Sequence, residues 1–136
     1  MMQNLQNQAI DDQAVIQRIE RMRPELLHAM LLEAGEKSLS LAIVAMNSQD
    51  IPGKSGHLSL VTEIIIELSG RLNQEHGGEL VANLGRVYSW WIDAIFDANQ
   101  KNQPEVLQVI LKQMGDMRAT WLELHRQTEA VGAPGT

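Results

Sequence analysis

A chain of 136 residues with 44% hydrophobic and 21% charged residues has the size and balance of one folded domain. The absence of cysteine excludes disulfide frameworks, thiolate catalysis and cysteine-based zinc sites. A net charge of −6 argues against binding nucleic acid, because affinity for phosphates comes from Lys and Arg that displace counterions. Aromatic residues make up only 4%, so core volume must come from Leu, Ile, Val and seven methionines.

Residues 1–10 are rich in Gln and Asn without an apolar period, and are expected to form a flexible arm. They lack the basic start and the apolar run of about 7 to 15 residues that mark a signal peptide. No uncharged apolar run approaches the roughly 18 residues that cross a bilayer, so a cytoplasmic protein with no membrane insertion is expected. Asp11 and Asp12 suit the cap of a short helix starting at Gln13, since carboxylates accept bonds from free N–H groups at a helix start. Val15, Ile16, Ile19 and Met22 would form its apolar side. Pro24 ends or bends that helix and equally suits the first turn of the next.

The spacing predicts a second helix from Pro24 to about Asn47, with Leu27, Met30, Leu31, Ala34, Ser38, Leu41 and Ala45 in steps of three and four. Ala34, Gly35, Ser38 and Ser40 leave its middle lean, either for close helix packing or for the approach of a ligand. Asp50 to Gly56 reads as a loop, with Pro52 fixing the backbone and Gly53 and Gly56 freeing it. Its Gly53-Lys54-Ser55 tripeptide is not a phosphate loop, because no glycine lies four residues before Gly53 and no strand precedes it.

A third helix follows with Leu58, Val61, Ile65, Leu68 and Leu72 on one stripe, widened by Ile64. Gly77-Gly78 then suits a reversal in which one glycine closes the helix in the left-handed conformation and the other frees the chain to turn. The fourth helix carries Leu80, Leu84, Val87, Trp91, Ile95 and Ala98, with Val81, Tyr88, Ile92 and Phe96 widening its apolar face beyond what one neighbour covers. Asn102-Gln103 breaks the chain, and Pro104-Glu105 opens a fifth helix to about Glu129 through Leu107, Ile110, Met114, Met117, Trp121 and Leu124. The fold class is therefore all-α, an elongated antiparallel four-helix bundle with a short extra N-terminal helix. Residues 11–130 form the one domain, and 131–136 a disordered tail.

Little in this pattern is catalytic. His28, His57, His76 and His125 stand in no recognised metal spacing, and Glu25-His28 has no second Glu-x-x-His pair to complete a dimetal site. They are expected to be solvent-exposed or locally bonded. No serine lies in a nucleophile elbow. The expectation is no enzyme, no cofactor and no metal. Tyr88 and Trp91 fit a core. Trp90, about 100° round the helix from Trp91, lies either at the core edge or in an exposed groove that meets a client or a second subunit.

From about Ile65 to Trp121 the chain resembles the flagellar export chaperone FliS family. The resemblance rests on Glu67-Leu68, Leu72-Asn73-Gln74-Glu75, Gly77-Gly78, Asn83-Leu84, Val87-Tyr88, Ala98-Asn99 and Trp121, spaced without a gap. Arg23-Pro24-Glu25 and Leu31 also match, whereas Leu32, Glu33 and Ala34 replace the family's Tyr, Asp and Gly, and the leading arm has no tyrosine. The resemblance implies a helical-bundle chaperone without enzymatic activity. Such a protein holds the disordered C-terminal region of flagellin, prevents premature polymerisation and delivers its client to the flagellar type III export apparatus. It places the client groove between the second, third and fourth helices, with Leu32, Ile65, Leu84, Tyr88, Trp90, Trp91 and Ile92 as contact residues. An export-gate protein or an anti-sigma factor are further partners under that reading. The alternative is a self-associating regulatory or co-chaperone module, a homodimer holding a non-flagellin partner through the same face.

Overall fold

The computed structural model describes residues 23–131, which form four α-helices and no strand. They are α1 (Pro24–Asn47), α2 (Ile51–Glu75), α3 (Gly78–Lys101) and α4 (Pro104–Val131). The expected arm, the short helix from Gln13 and the tail after residue 131 lie outside the described residues. At ~1.5 Å per residue the helices run roughly 36 to 42 Å. Each packs on two neighbours, α1 and α3 both on α2 and α4. Bonds from the start of α1 to the end of α2 and from the start of α2 to the end of α3 make these pairs antiparallel, and α4 runs against α3, with Tyr88 on Met117 and Trp91 on Gln113.

Packing is unequal round this square. α1 lies close against both α2 and α4, while α3 rests more loosely on the same two helices. The lean middle of α1 explains the close side. Gly35 is buried between Met114 and Ile64, where a β-carbon would meet the Met114 sulfur at 3.5 Å and the Ile64 side chain at 3.6 Å. Gly35 and Ser38 thus both lie in the packed interior. The buried face of α1 runs through His28, Leu32, Leu39, Ala42, Ile43 and Met46 as well as Leu27, Ser38 and Ala45. Of the stripe read from hydropathy, Leu27, Ser38 and Ala45 are buried and Leu31 partly so, whereas Met30, Ala34 and Leu41 are exposed. A helix pressed between two neighbours buries a broad face, and His28 and Gly35 belong to it although they lie off that stripe.

The stripe of α2 agrees with expectation: Leu58, Val61, Ile65, Leu68 and Leu72 are all buried. The loop expected from Asp50 to Gly56 is instead the start of α2. Asp50 caps it by accepting a bond from the Gly53 N–H at 3.1 Å, and Pro52 stands in the first turn, where no N–H is needed. The reversal from α1 is made by Ser48, Gln49 and Asp50. The Asp50 N–H donates to the Ala45 carbonyl at 2.8 Å, with Gln49 left-handed at φ 60°. Asn102, left-handed at φ 52°, does the same between α3 and α4.

Polar pins join the ends of the bundle. His28 is fully buried, its Nε2 2.9 Å from Glu75 Oε2 at the end of α2 and its ring stacked on Trp121 of α4 at 4.4 Å. An ionised carboxylate only accepts, so the bond fixes a proton on Nε2. This histidine is neither exposed nor locally bonded, as was expected of it; its partner stands on another helix. At the opposite end the Lys54 ammonium donates to the Asn99 carbonyl at 3.2 Å and the Asn102 side chain at 3.0 Å. Its positive charge thus meets the negative dipole end of α3. Arg118 bridges α4 to α1 through Glu36, which lies across Gly115, and that carboxylate raises the already high pKa of the guanidinium.

The double glycine works differently from expectation. α2 closes through His76 and Gly77, both extended, and the left-handed residue is Gly78 at φ 66°, opening α3. No atom within 4 Å would meet a β-carbon at either position, so backbone conformation alone separates them. Gly78→Ala should cost about 1 to 2 kcal/mol. Gly77→Ala should leave stability unchanged or raised by up to ~1 kcal/mol. Urea unfolding of the two variants measures this, and equal effects would contradict the assignment.

Candidate client-binding grooves

The looseness of α3 leaves a groove on each flank. On one side Leu58, Ser59 and Thr62 of α2 face Ile92, Ile95 and Phe96 of α3 round a depression of about 310 Å³. On the other, Asn83, Val87, Trp90 and Trp91 of α3 face Gln113 and Met117 of α4 round one of about 440 Å³. Both are mostly apolar. Phe96 is 64% exposed on the first flank and Trp90 47% on the second, while Ile66, a turn beyond Thr62 on α2, is 59% exposed.

The seven residues singled out from sequence divide by depth. Leu32, Ile65 and Trp91 have no exposed surface and Tyr88 almost none; they belong to the core. Leu32 and Ile65 reach neither groove surface, whereas Trp91 lies under the α3/α4 groove as its floor. Leu84 is partly buried against the core, and Ile92 lines the α2/α3 groove. Trp90 is the most exposed of the seven, standing on the groove wall as its angular offset from Trp91 required. The grooves also flank α3 on both sides, so α4 contributes where α1 was expected to. Phe96, Ile66 and Arg86 were not singled out. A signal for Phe96 existed, since it sits at the far edge of the wide apolar face of α3.

The floor is held by two polar contacts. Trp91 Nε1 donates to Gln113 Oε1 at 2.8 Å, which spares the buried indole an unmet N–H. Among the described residues the Tyr88 hydroxyl has only the Met117 sulfur, at 3.6 Å, a weak acceptor. Burial pushes the Tyr88 pKa from 10.0 up to about 12, because the phenolate would lose hydration without gaining a donor. All polar contacts named between α3 and other helices fall between Tyr88 and Asn102. The half from Gly78 to Val87 rests on α2 and α4 through Val81, Leu84 and Val87.

Among the described residues no group of three or more His, Asp or Glu is placed to hold a metal ion. Neither groove combines a nucleophile with a base. No described helix is long and apolar enough to cross a membrane. Apolar walls, a preformed floor and half-exposed aromatics define a helical-bundle protein with two open apolar grooves.

Comparison with known proteins narrows that class. The family model for the flagellar protein FliS matches residues 6–128, and the chain belongs to this family. It is similar to the flagellar secretion chaperone FliS of Vibrio cholerae, 28% identical over 114 residues that cover 84% of each chain. It is also similar to the flagellar secretion chaperone FliSB of Pseudomonas aeruginosa, 29% identical over 104 residues covering 76% of this chain and 82% of the relative. The FliS of Salmonella typhimurium is 26% identical over 102 residues, 74% of this chain and 76% of its own.

Depth sets what each tryptophan does. Trp91→Ala should cost about 3 to 5 kcal/mol of stability. Trp90→Ala should change it by less than about 0.5 kcal/mol; thermal unfolding compares them. Tyr88 is the only tyrosine, so absorbance at 295 nm reads it alone. In the folded protein tyrosinate should appear near pH 12, and in urea near 10. A pKa raised by folding means that the stabilisation is complete below pH 10 and is lost as pH rises to about 12. Tyr88→Phe should remove that part of the alkaline decline.

Proposed function

We propose that this protein is a cytoplasmic flagellar export chaperone. It holds the disordered C-terminal segment of flagellin, prevents premature polymerisation and delivers the segment to the type III export apparatus. The observation that carries the reading is the pair of apolar grooves flanking α3, in a chain of the FliS family whose relatives are named secretion chaperones. A client that is disordered when free loses conformational entropy on capture, so extended apolar contact is needed to offset the cost. Two grooves on opposite flanks of one helix supply it over a length that a single pocket lacks.

Trp90, Ile92 and Leu84 are the client contacts in this reading, joined by Phe96 and Ile66. Leu32, Ile65, Tyr88 and Trp91 act beneath them by fixing the shape of the floor. Burying the exposed parts of Trp90 and Phe96 would each contribute on the order of 1 to 2 kcal/mol.

Calorimetric titration with the C-terminal segment of flagellin from the same genome tests the proposal. Saturable one-to-one binding with a negative heat-capacity change is expected. Trp90→Ala and Phe96→Ala should each weaken it by about tenfold or more, with helical content unchanged. No binding by the folded wild type would overturn the reading.

A further inference from the structure

The two grooves differ in charge. The α2/α3 groove offers Ser55, Ser59, Thr62 and Asn99 beside its apolar side chains, and no charged group. The α3/α4 groove carries Arg86 on its wall, one turn before Trp90. The Arg86 guanidinium is exposed and donates to the neutral Asn83 side-chain oxygen. Arg71, Arg118 and Arg126 each pair with a carboxylate, as do Lys37, Lys101 and Lys112. Arg86 has no carboxylate within ion-pair distance among the described residues.

Its sequence neighbourhood explains why. The helical positions three and four away are Ala82, Asn83, Ser89 and Trp90, none of them acidic, so no pair along the helix can form. Acids are not scarce in a chain of net charge −6; they are absent from this wall. A cation beside an exposed indole and an apolar floor is half of a charge-assisted contact.

The geometry points to an α3/α4 groove that takes an amphipathic segment carrying an Asp or Glu about one turn from a large apolar anchor. The anchor covers Val87 and Trp90, and the carboxylate displaces Asn83 from Arg86. The α2/α3 groove takes an uncharged stretch of the same segment. The charge thereby sets which part of the client enters which groove, and in which direction, since complementary charge fixes register more than it adds affinity. This rests on the client reading above and names the chemistry that the site selects.

The test is calorimetry on wild type, Arg86→Gln and Arg86→Glu with the same flagellin segment. Each acidic residue of the segment is then reversed to Lys, one at a time. Arg86→Gln should weaken binding by about two- to fivefold. Arg86→Glu should weaken it by about tenfold at low salt, and less at high salt. One reversal in the segment should restore binding to Arg86→Glu and weaken binding to wild type. Lys37→Glu, on the outer face of α1, should change neither. Arg86→Glu that binds like wild type, or a loss that no single reversal restores, would overturn the inference and leave the chaperone reading standing. Failure of wild type to bind the segment would remove both.

Discussion

Close approach of α1 to two neighbours at once is the constraint from which the remaining architecture follows. Gly35 sits in van der Waals range of Ile64 and Met114, and α1, α2 and α4 carry much of the core. α3 then inherits a looser seat. It reaches the interior through Tyr88, Trp91, Ile95 and Ala98, and its flanks stay open enough to leave apolar walls in water. Looseness on one helix is the counterpart of tightness on the opposite one, and it leaves two apolar grooves open to water.

Polar pins at the ends keep such a bundle in register where apolar stripes alone would let helices slide. His28 ties the start of α1 to the end of α2, and Lys54 ties the start of α2 to the end of α3. A buried cation without a carboxylate would be costly, but Lys54 meets a carbonyl, an amide oxygen and a helix dipole end. Both pins join non-neighbouring stretches of chain, so each excludes misregistered pairings as well as stabilising the native one. Surface pairs such as Lys101 with Asp97 contribute only about 0.3 to 0.5 kcal/mol each and decide nothing of the sort.

The legibility of this fold in its sequence followed the purity of each helix face. α2 could be read residue by residue because each large buried position except Lys54 is apolar and regularly spaced. The α1 stripe is legible only in part, since contact on two sides also buries a histidine and a glycine, and leaves Met30 and Leu41 in water. The stretch from Asp50 to Gly56 reads as a loop in sequence because proline and two glycines outweigh the cap that Asp50 provides. In the candidate site, the departure of Trp90 from the core was visible as an angle on a helix. Arg86 was not, because lacking an acidic partner is a property of the assembled surface and not of the local sequence. Nor could the sequence place the second groove against α4 in preference to α1, which depends on which helices end up diagonal to one another.

The three tryptophans sit in three unlike surroundings. Trp121 is stacked on an imidazole, Trp91 is dry and bonded to an amide, and Trp90 is half in water. Their fluorescence is therefore not one signal but three. Stacking favours quenching of Trp121, Trp91 reports the integrity of the interior, and a shift to shorter wavelength on adding a peptide belongs chiefly to Trp90. The chain carries an optical reporter at the wall of one groove and none in the other, so occupancy of the two can be told apart without attaching a dye.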